Sequence, residues 1–151
     1  ADLMVEDGSG ALIISDVKGK LVVDDASGDL QVSNVHDDVK IEDGSGSLSA
    51  QNIDGLLSIV DASGDLTVSQ VAGNVNIEDG SGELTVNQVN GTVKIDDASG
   101  NIVVKNITGK VTVNDGSGDI RVVKAGGLSI IESGSGDIKV QQVKGDFNIE
   151  S

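Results

Sequence analysis

The residues Asp7-Gly8-Ser9-Gly10-Ala11-Leu12-Ile13-Ile14 form a short unit, a polar turn sequence followed by apolar residues, that returns along the whole chain. The next copy is Asp25-Ala26-Ser27-Gly28-Asp29-Leu30-Gln31-Val32. The Ser-Gly pair of this unit recurs at a constant 18-residue interval from Ser9-Gly10 to Ser135-Gly136, with no insertion or deletion. A fixed period of this length is typical of repeat architectures, in which each repeat is one unit of a stack.

When the chain is written in rows of one such repeat, the apolar positions align in five columns. Within each half-row apolar and polar residues alternate, and most apolar ones are β-branched, which is typical of strands that bury one face. Between half-rows, at Glu6-Asp7 and Ser15-Asp16 and their equivalents, two consecutive polar residues are predicted to face outward at a corner. The first apolar column comprises Leu12, Leu30, Leu48, Leu66, Leu84, Ile102, Ile120 and Ile138.

One row cannot bury its own apolar face, whereas eight rows stacked in parallel can. Fully burying one Val, Leu or Ile contributes roughly 1.5–3 kcal/mol. The sequence therefore predicts an all-β fold, a right-handed parallel β-solenoid (β-helix) of 18-residue repeats, with its hand taken from the general bias of parallel crossovers. A 36-residue coil stays open as an alternative, because Gly8, Gly44 and Gly80 alternate with Ala26 and Ala62.

Length and composition predict a single domain over residues 1–151 with eight 18-residue repeats. Because the chain begins with Ala1 when the repeat is already under way, we interpret it as a segment excised from a longer protein. Aromatic residues make up 1% of the chain, so the core has to be thin and built from Val, Ile and Leu. There is no Pro to interrupt a strand ladder.

The net charge of −15 disfavours nucleic acid and anionic lipid as partners, since both repel a polyanion. The charge is uneven: residues 1–90 carry 17 acidic and 3 basic side chains (net −14), and residues 91–151 carry 8 and 7 (net −1). No stretch reaches the roughly 20 apolar residues of a membrane span. The absence of Cys excludes disulfides and thiolate metal sites.

A column of aspartates opens the turn in seven of the rows. Asp followed two residues later by Ser is a turn-forming pattern, in which the carboxylate accepts backbone N–H groups. Carboxylates repeated every ~5 Å also repel one another, and Ca²⁺ would compensate them through oxygen ligation. Turn capping is the first interpretation, and a Ca²⁺ site, the one cofactor considered, is the alternative. The candidate metal ligands are Asp7, Asp25, Asp43, Asp61, Asp79, Asp97 and Asp115.

Other polar positions offer no catalytic machinery. His36 is the only histidine and is predicted to face outward, so with no Cys present no nucleophile–base pair can be assembled. The sequence therefore predicts no catalytic residues and no enzyme. A corner column is predicted to form side-chain hydrogen bonds along the stack; it comprises Asp16, Asn34, Asn52, Gln70, Gln88, Asn106, Lys124 and Gln142.

The pattern loosens near the C-terminus. Ser129 and Ala125 replace core apolar residues, Ser133 replaces the turn aspartate, and Leu128 and Ile130 fall at positions predicted to face outward. Two interpretations remain open: an edge row that adjusts its packing, or a contact surface for a neighbouring domain.

Several phrases carry a resemblance to a known family, among them Ser63-Gly64-Asp65-Leu66-Thr67-Val68, Ser117-Gly118-Asp119-Ile120-Arg121-Val122 and Val143-Lys144-Gly145-Asp146-Phe147-Asn148-Ile149. The chain resembles the bacterial "toastrack" β-solenoid domains, which are often labelled adhesins, over essentially its whole length. The resemblance implies a cell-envelope or extracellular location in bacteria. It brings no catalytic residues.

Two functional hypotheses follow. In the first, the chain is a non-enzymatic solenoid of the cell envelope or surface that acts as a scaffold or an adhesion-like binding module for a protein or another envelope component. In the second, it is an acidic module that binds Ca²⁺. Unpaired strand edges at the two ends also predict end-to-end self-association.

Overall fold

A computed structural model describes residues 2–149, apart from the side chains of residues 132 and 133. Strands and turns make up this part of the chain, and it contains no helix that could cross a membrane. The strands are β1 Leu3–Asp7, β2 Leu12–Val17, β3 Leu21–Asp25, β4 Leu30–Val35, β5 Val39–Asp43, β6 Leu48–Ile53, β7 Leu57–Asp61, β8 Leu66–Val71, β9 Val75–Asp79, β10 Leu84–Val89, β11 Val93–Asp97, β12 Ile102–Asp115, β13 Ile120–Ser133, β14 Ile138–Val143 and β15 Phe147–Ile149.

The strands form two parallel ladders that run the length of the molecule. Odd-numbered strands from β1 to β11 pair in order, as do even-numbered strands from β2 to β10, and the long strands β12 and β13 take part in both ladders. Leu48 pairs with Leu30 on one side and with Leu66 on the other. Residues one repeat apart therefore stack directly, which confirms the parallel β-solenoid of 18-residue repeats and makes the 36-residue coil wrong.

The core consists of the predicted apolar columns and is closed by stacking. Leu30, Val32 and Val35 are buried in β4, while Gln31 and Asn34 between them are exposed. Each coil covers the apolar side chains of the coil beneath it, so the same columns are only half-buried in the end coils, as at Leu12 and Ile138. Burial thus comes from the neighbouring coils, as in other solenoids.

The 36-residue alternation is a detail of the turns. In coils whose turn contains Ala, the Ser hydroxyl donates to the Gly carbonyl of the preceding coil: Ser27 Oγ to Gly8 O at 3.2 Å, and Ser63 Oγ to Gly44 O at 3.4 Å. A Cβ added at Gly44 would lie 2.4 Å from the carbonyl oxygen of Ala26. Turns that contain Ala and turns that contain Gly therefore alternate along the stack and make different contacts with the preceding coil, although each coil is a single repeat.

Backbone conformation explains the second corner. The eight residues of its polar column all have positive φ, from 56° to 61°. Asn and Asp tolerate this left-handed conformation better than other residues with a side chain. The left-handed residue interrupts the strand alternation, which is why Ser15 and Asp16 both face outward as predicted.

The C-terminal coils differ from the prediction. Leu128 and Ile130 are buried, whereas Ile131 is exposed. Here β13 slips by one residue against β12, so that Val111 pairs with Leu128, and the usual register returns at Glu132. The prediction that Leu128 and Ile130 face outward is wrong, because a one-residue slip exchanges the two faces of a strand and places these two apolar residues inside instead of Ser129 and Ile131.

Candidate functional site

Six aspartates lie in one file inside the solenoid and form what we call the interior aspartate column. Each ends a strand and is in register with the aspartate one coil away, as Asp61 is with Asp79. Parallel strands place such partners about 4.8 Å apart. Their exposed fractions lie between 0% and 5%, and no other polar residue in the described part of the chain is buried. The column comprises Asp25, Asp43, Asp61, Asp79, Asp97 and Asp115.

The prediction that these aspartates face outward at a corner is wrong. In β3 the buried residues are Leu21, Val23 and Asp25, and the exposed ones are Val22 and Asp24. The aspartate therefore continues the strict alternation of the strand, whose period of two directs it inward. That alternation was the available signal for its burial, and the polarity of the side chain obscured it.

One carboxylate oxygen of the column caps the following turn. Oδ1 of Asp61 accepts the backbone N–H of Ser63 at 3.1 Å, and Asp97 and Asp115 accept the equivalent N–H groups at 3.0 Å. These aspartates therefore have the turn-capping role that the Asp-x-Ser pattern predicts.

The second carboxylate oxygen of these aspartates has no hydrogen-bond donor in the described structure. Oδ2 of Asp61, Asp79, Asp97 and Asp115 is buried without a hydrogen-bond partner in the described structure. For Asp25 and Asp43 the same holds for both carboxylate oxygens. Buried polar atoms normally find a partner, so a file of unpartnered oxygens requires an explanation.

Burial raises the pKa of every column member, because surroundings of low polarity disfavour the charged form. The pKa rises to about 7 for Asp61 and Asp97, where burial is the largest cause and repulsion from the neighbouring column aspartates is the next. It rises to about 6 for Asp43, Asp79 and Asp115, again chiefly through burial. The turn N–H groups act in the opposite direction because they stabilise the carboxylate.

Full ionisation of the column is unfavourable. Two unit charges 4.8 Å apart repel by about 3 kcal/mol at an effective dielectric constant of about 20. Within residues 2–149, no basic side chain among those described is buried beside the column, and the one contact found between a basic and an acidic side chain is the exposed contact of His36 with Asp54. Neutralisation has to come from a bound cation or from protons.

The predicted calcium ligands are the column and Asp7, which is half-buried at the open end of the file. No three His, Cys, Asp or Glu side chains, among those described, lie close enough together to hold one metal ion. Ca²⁺ takes 6–8 oxygen ligands. The calcium site stays a prediction.

A second polar feature is the outer corner with left-handed residues. Asn34 Nδ2 donates to Asp16 Oδ1 at 3.2 Å, and Asn52 Nδ2 donates to Asn34 Oδ1 at 3.0 Å, so the predicted hydrogen bonds along the stack exist here. Beside them His36 Nδ1 lies 2.9 Å from Asp54 Oδ2. This pair was not predicted from the sequence, although the two residues share a column and stand one repeat apart.

An open groove of about 540 Å³ follows this corner past His36 and Asp54. A similar groove of about 560 Å³ near the C-terminus is lined by Lys124 and Lys144. Among the hydrogen bonds of the described residues, none joins a hydroxyl nucleophile to the His36–Asp54 pair. Both grooves are open to the surface of the solenoid.

Comparison with known proteins gives one match. The family model described as Toastrack DUF4097 matches residues 36–151, which is 116 of the 151 residues. No curated protein and no solved structure matches the chain. A toastrack β-solenoid is not a typical enzyme fold.

Proposed function

Because this chain belongs to the Toastrack DUF4097 family, we propose that it is a non-enzymatic scaffold whose outer faces bind a protein or another component of the bacterial cell envelope or surface. The family match supports a scaffold or binding module, and the adhesion-like role and the location are our proposal. The observation that carries it is the contrast between uniform inward columns and varied outward ones.

That contrast is visible in neighbouring columns of one ladder. The inward column of Leu66 contains only Leu and Ile. The outward column one residue later changes its chemistry from coil to coil, since it comprises Ile13, Gln31, Ser49, Thr67, Thr85, Val103, Arg121 and Lys139. A frame held by identical contacts can display different side chains at fixed spacing, which is what a binding scaffold requires.

Location is the direct test of this proposal. When the cells of its bacterial host are fractionated, we expect the protein in the envelope or extracellular fraction. We also expect protease added to intact or outer-permeabilised cells to reach it. The control is a cytoplasmic protein that stays protected in the same cells. Recovery in the cytoplasmic fraction alone would contradict the envelope role.

The second hypothesis, an acidic module that binds Ca²⁺, rests on the unpartnered oxygens of the interior aspartate column. Protonation of the aspartates would neutralise the column equally well. A comparison of stability at pH 8 in millimolar Ca²⁺ and in EDTA distinguishes calcium from protons.

For a partner, we propose a second copy of the chain, joined end to end. Among residues 2–149, β1 and β2 pair on one side only, as do β14 and β15. Leu3 and Phe147 are 40% and 53% exposed in these coils, whereas their column mate Leu21 is buried. Residues 2–17 carry four acids and no base, whereas residues 121–151 carry four bases and four acids, with Lys139 and Lys144 in the last coil. Unpaired edges favour stacking, and an acidic coil at one end can meet these lysines at the other, which favours head-to-tail contact.

We expect the average mass of the 151-residue chain in sedimentation experiments to rise with concentration, because association of two copies follows mass action. The double variant Lys139→Glu/Lys144→Glu should weaken association. Lys94→Glu/Lys105→Glu, which makes the same charge change in inner coils, should not. A strict monomer at high concentration would rule out this mode of assembly.

A further inference from the structure

We propose that the interior aspartate column is a proton-binding site in which carboxylic acid groups bridge successive coils, Oδ2–H of one aspartate donating to an oxygen of the next. The site makes the solenoid a proton-dependent structure at neutral pH. This inference concerns the inside of the molecule and does not rest on the proposed function.

Three observations require a ligand. The column aspartates are buried to at least 95%. Each has an oxygen without a donor, although Oδ1 of Asp61, Asp97 and others is already bonded to a turn N–H. The file continues in register from coil to coil, so each carboxyl group lies one strand spacing from the carboxyl group of the next coil. A proton shared between two such carboxyls satisfies both, as in other carboxyl pairs that cannot ionise together.

The charged groups around the column all favour the neutral form. Repulsion on its members comes from the half-buried Asp7, from the exposed Asp24 and Asp96 beside Asp25 and Asp97, and from Asp65 near Asp79. Among the described residues, no Lys, Arg or His contributes an opposing attraction. The opposing influence is the turn N–H group, which engages one oxygen and leaves the other available for a proton.

A route for proton exchange exists at mid-length. A surface depression of about 360 Å³ is lined by Asp61 and Asp79 of the column and by the outward acids Glu78 and Asp96. Water can therefore reach the column edge without opening the stack. The space is lined by acids on its outer rim, which supply carboxylates for proton transfer.

The sign of the pH dependence follows from these groups. Their folded-state pKa values lie at about 6 to 7, above the ordinary Asp value of 3.8. The folded chain therefore holds protons that the unfolded chain releases. The resulting stability is complete below pH ~4 and is lost as the pH rises through 6 and 7.

The test is urea unfolding followed by circular dichroism between pH 5 and pH 8, with EDTA present. For each proton held only by the folded chain, the unfolding equilibrium constant should rise about tenfold per pH unit. The variant Asp61→Asn/Asp97→Asn replaces two acids by neutral amides of the same shape. It should show a shallower pH dependence than the native chain and should be the more stable of the two at pH 8.

The matched control is Glu6→Gln/Glu42→Gln, which removes two charges from exposed residues next to Asp7 and Asp43. It should keep the native pH dependence, which separates the column from the general repulsion of an acidic surface. Infrared spectra of the native chain at pH 6 should contain the carbonyl band of protonated carboxylic acids, and the band should vanish on unfolding. This measurement needs no variant to fold.

Three results would overturn the inference: a stability that is flat or rises between pH 5 and pH 8, no acid carbonyl band at pH 6, or equal slopes for the two double variants. A calcium arm completes the design. If millimolar Ca²⁺ in place of EDTA raises the stability at pH 8 and abolishes the acid band at pH 6, the column binds calcium in place of protons.

Discussion

Replacement of Gly64 by alanine is expected to destabilise the solenoid by roughly 3 kcal/mol or more, in the range of severe single substitutions. Gly64 has φ of +115°, which side chains rarely adopt, and a Cβ there would lie 1.9 Å from the carbonyl oxygen of Gly46 on the coil below. Relief would require the two turns to separate, and the strands on either side are bonded at fixed spacing. Urea unfolding by circular dichroism measures the effect.

Two glycines of the first coil serve as matched controls. Gly10 belongs to the same column and has φ of +101°, but nothing lies within 4 Å of its added Cβ. Gly10→Ala should therefore cost only the backbone strain, about 1 kcal/mol. Gly8→Ala, with neither strain nor contact, should change stability by less than about 0.5 kcal/mol. Equal effects of Gly64→Ala and Gly10→Ala would show that stacking of the turns is not what requires glycine.

The second large effect is expected for Leu66→Ala, which should lower the free energy of unfolding by about 2–5 kcal/mol. Leu66 is 0% exposed and stacks between Leu48 and Leu84. Parallel ladders above and below hold the cavity open, so the site can collapse only a little. Because each coil contacts only its neighbours, a central cavity also weakens the link between the two halves of the stack.

The control for this substitution is Leu12→Ala in the same column. Leu12 is half-buried in the first coil and is stacked on one side only, against Leu30. Leu12→Ala should lower the free energy of unfolding clearly less than Leu66→Ala does. It should also change the width of the main unfolding transition little, because an end coil unfolds separately from the rest of the stack. Equal losses at the two positions would contradict a stack in which burial is supplied by the neighbouring coils.

Most of the fold could be predicted from particular residues. The spacing of Leu12, Leu30 and Leu48 already predicts stacked parallel strands, because an unbroken period with alternation around it allows the apolar columns to be buried together. The choice between an 18-residue and a 36-residue coil needed the pairing of Leu48 with Leu30 and Leu66. His36 and Asp54 also stand one repeat apart in one column, so the same spacing could have predicted their contact, which was missed. Asp25 was predicted to face outward with Asp24, because both residues are polar, but the alternation of β3 continues through Asp25 and buries it.

The repeat pattern alone establishes the stack and its apolar columns, because these depend on local periodicity and on identical neighbours. The coil length was decided by the register between strands one repeat apart. Three features depend on contacts between coils, which no single row contains. The slip of β13 brings Leu128 inside because Val111 offers an apolar partner across the ladder. The hydrogen bond from Ser63 to the carbonyl of Gly44 belongs to a contact that forms only where a turn with Ala follows a turn with Gly. The interior aspartate column exists because the strands stacked on both sides of Asp61 bury its carboxylate, which is 2% exposed.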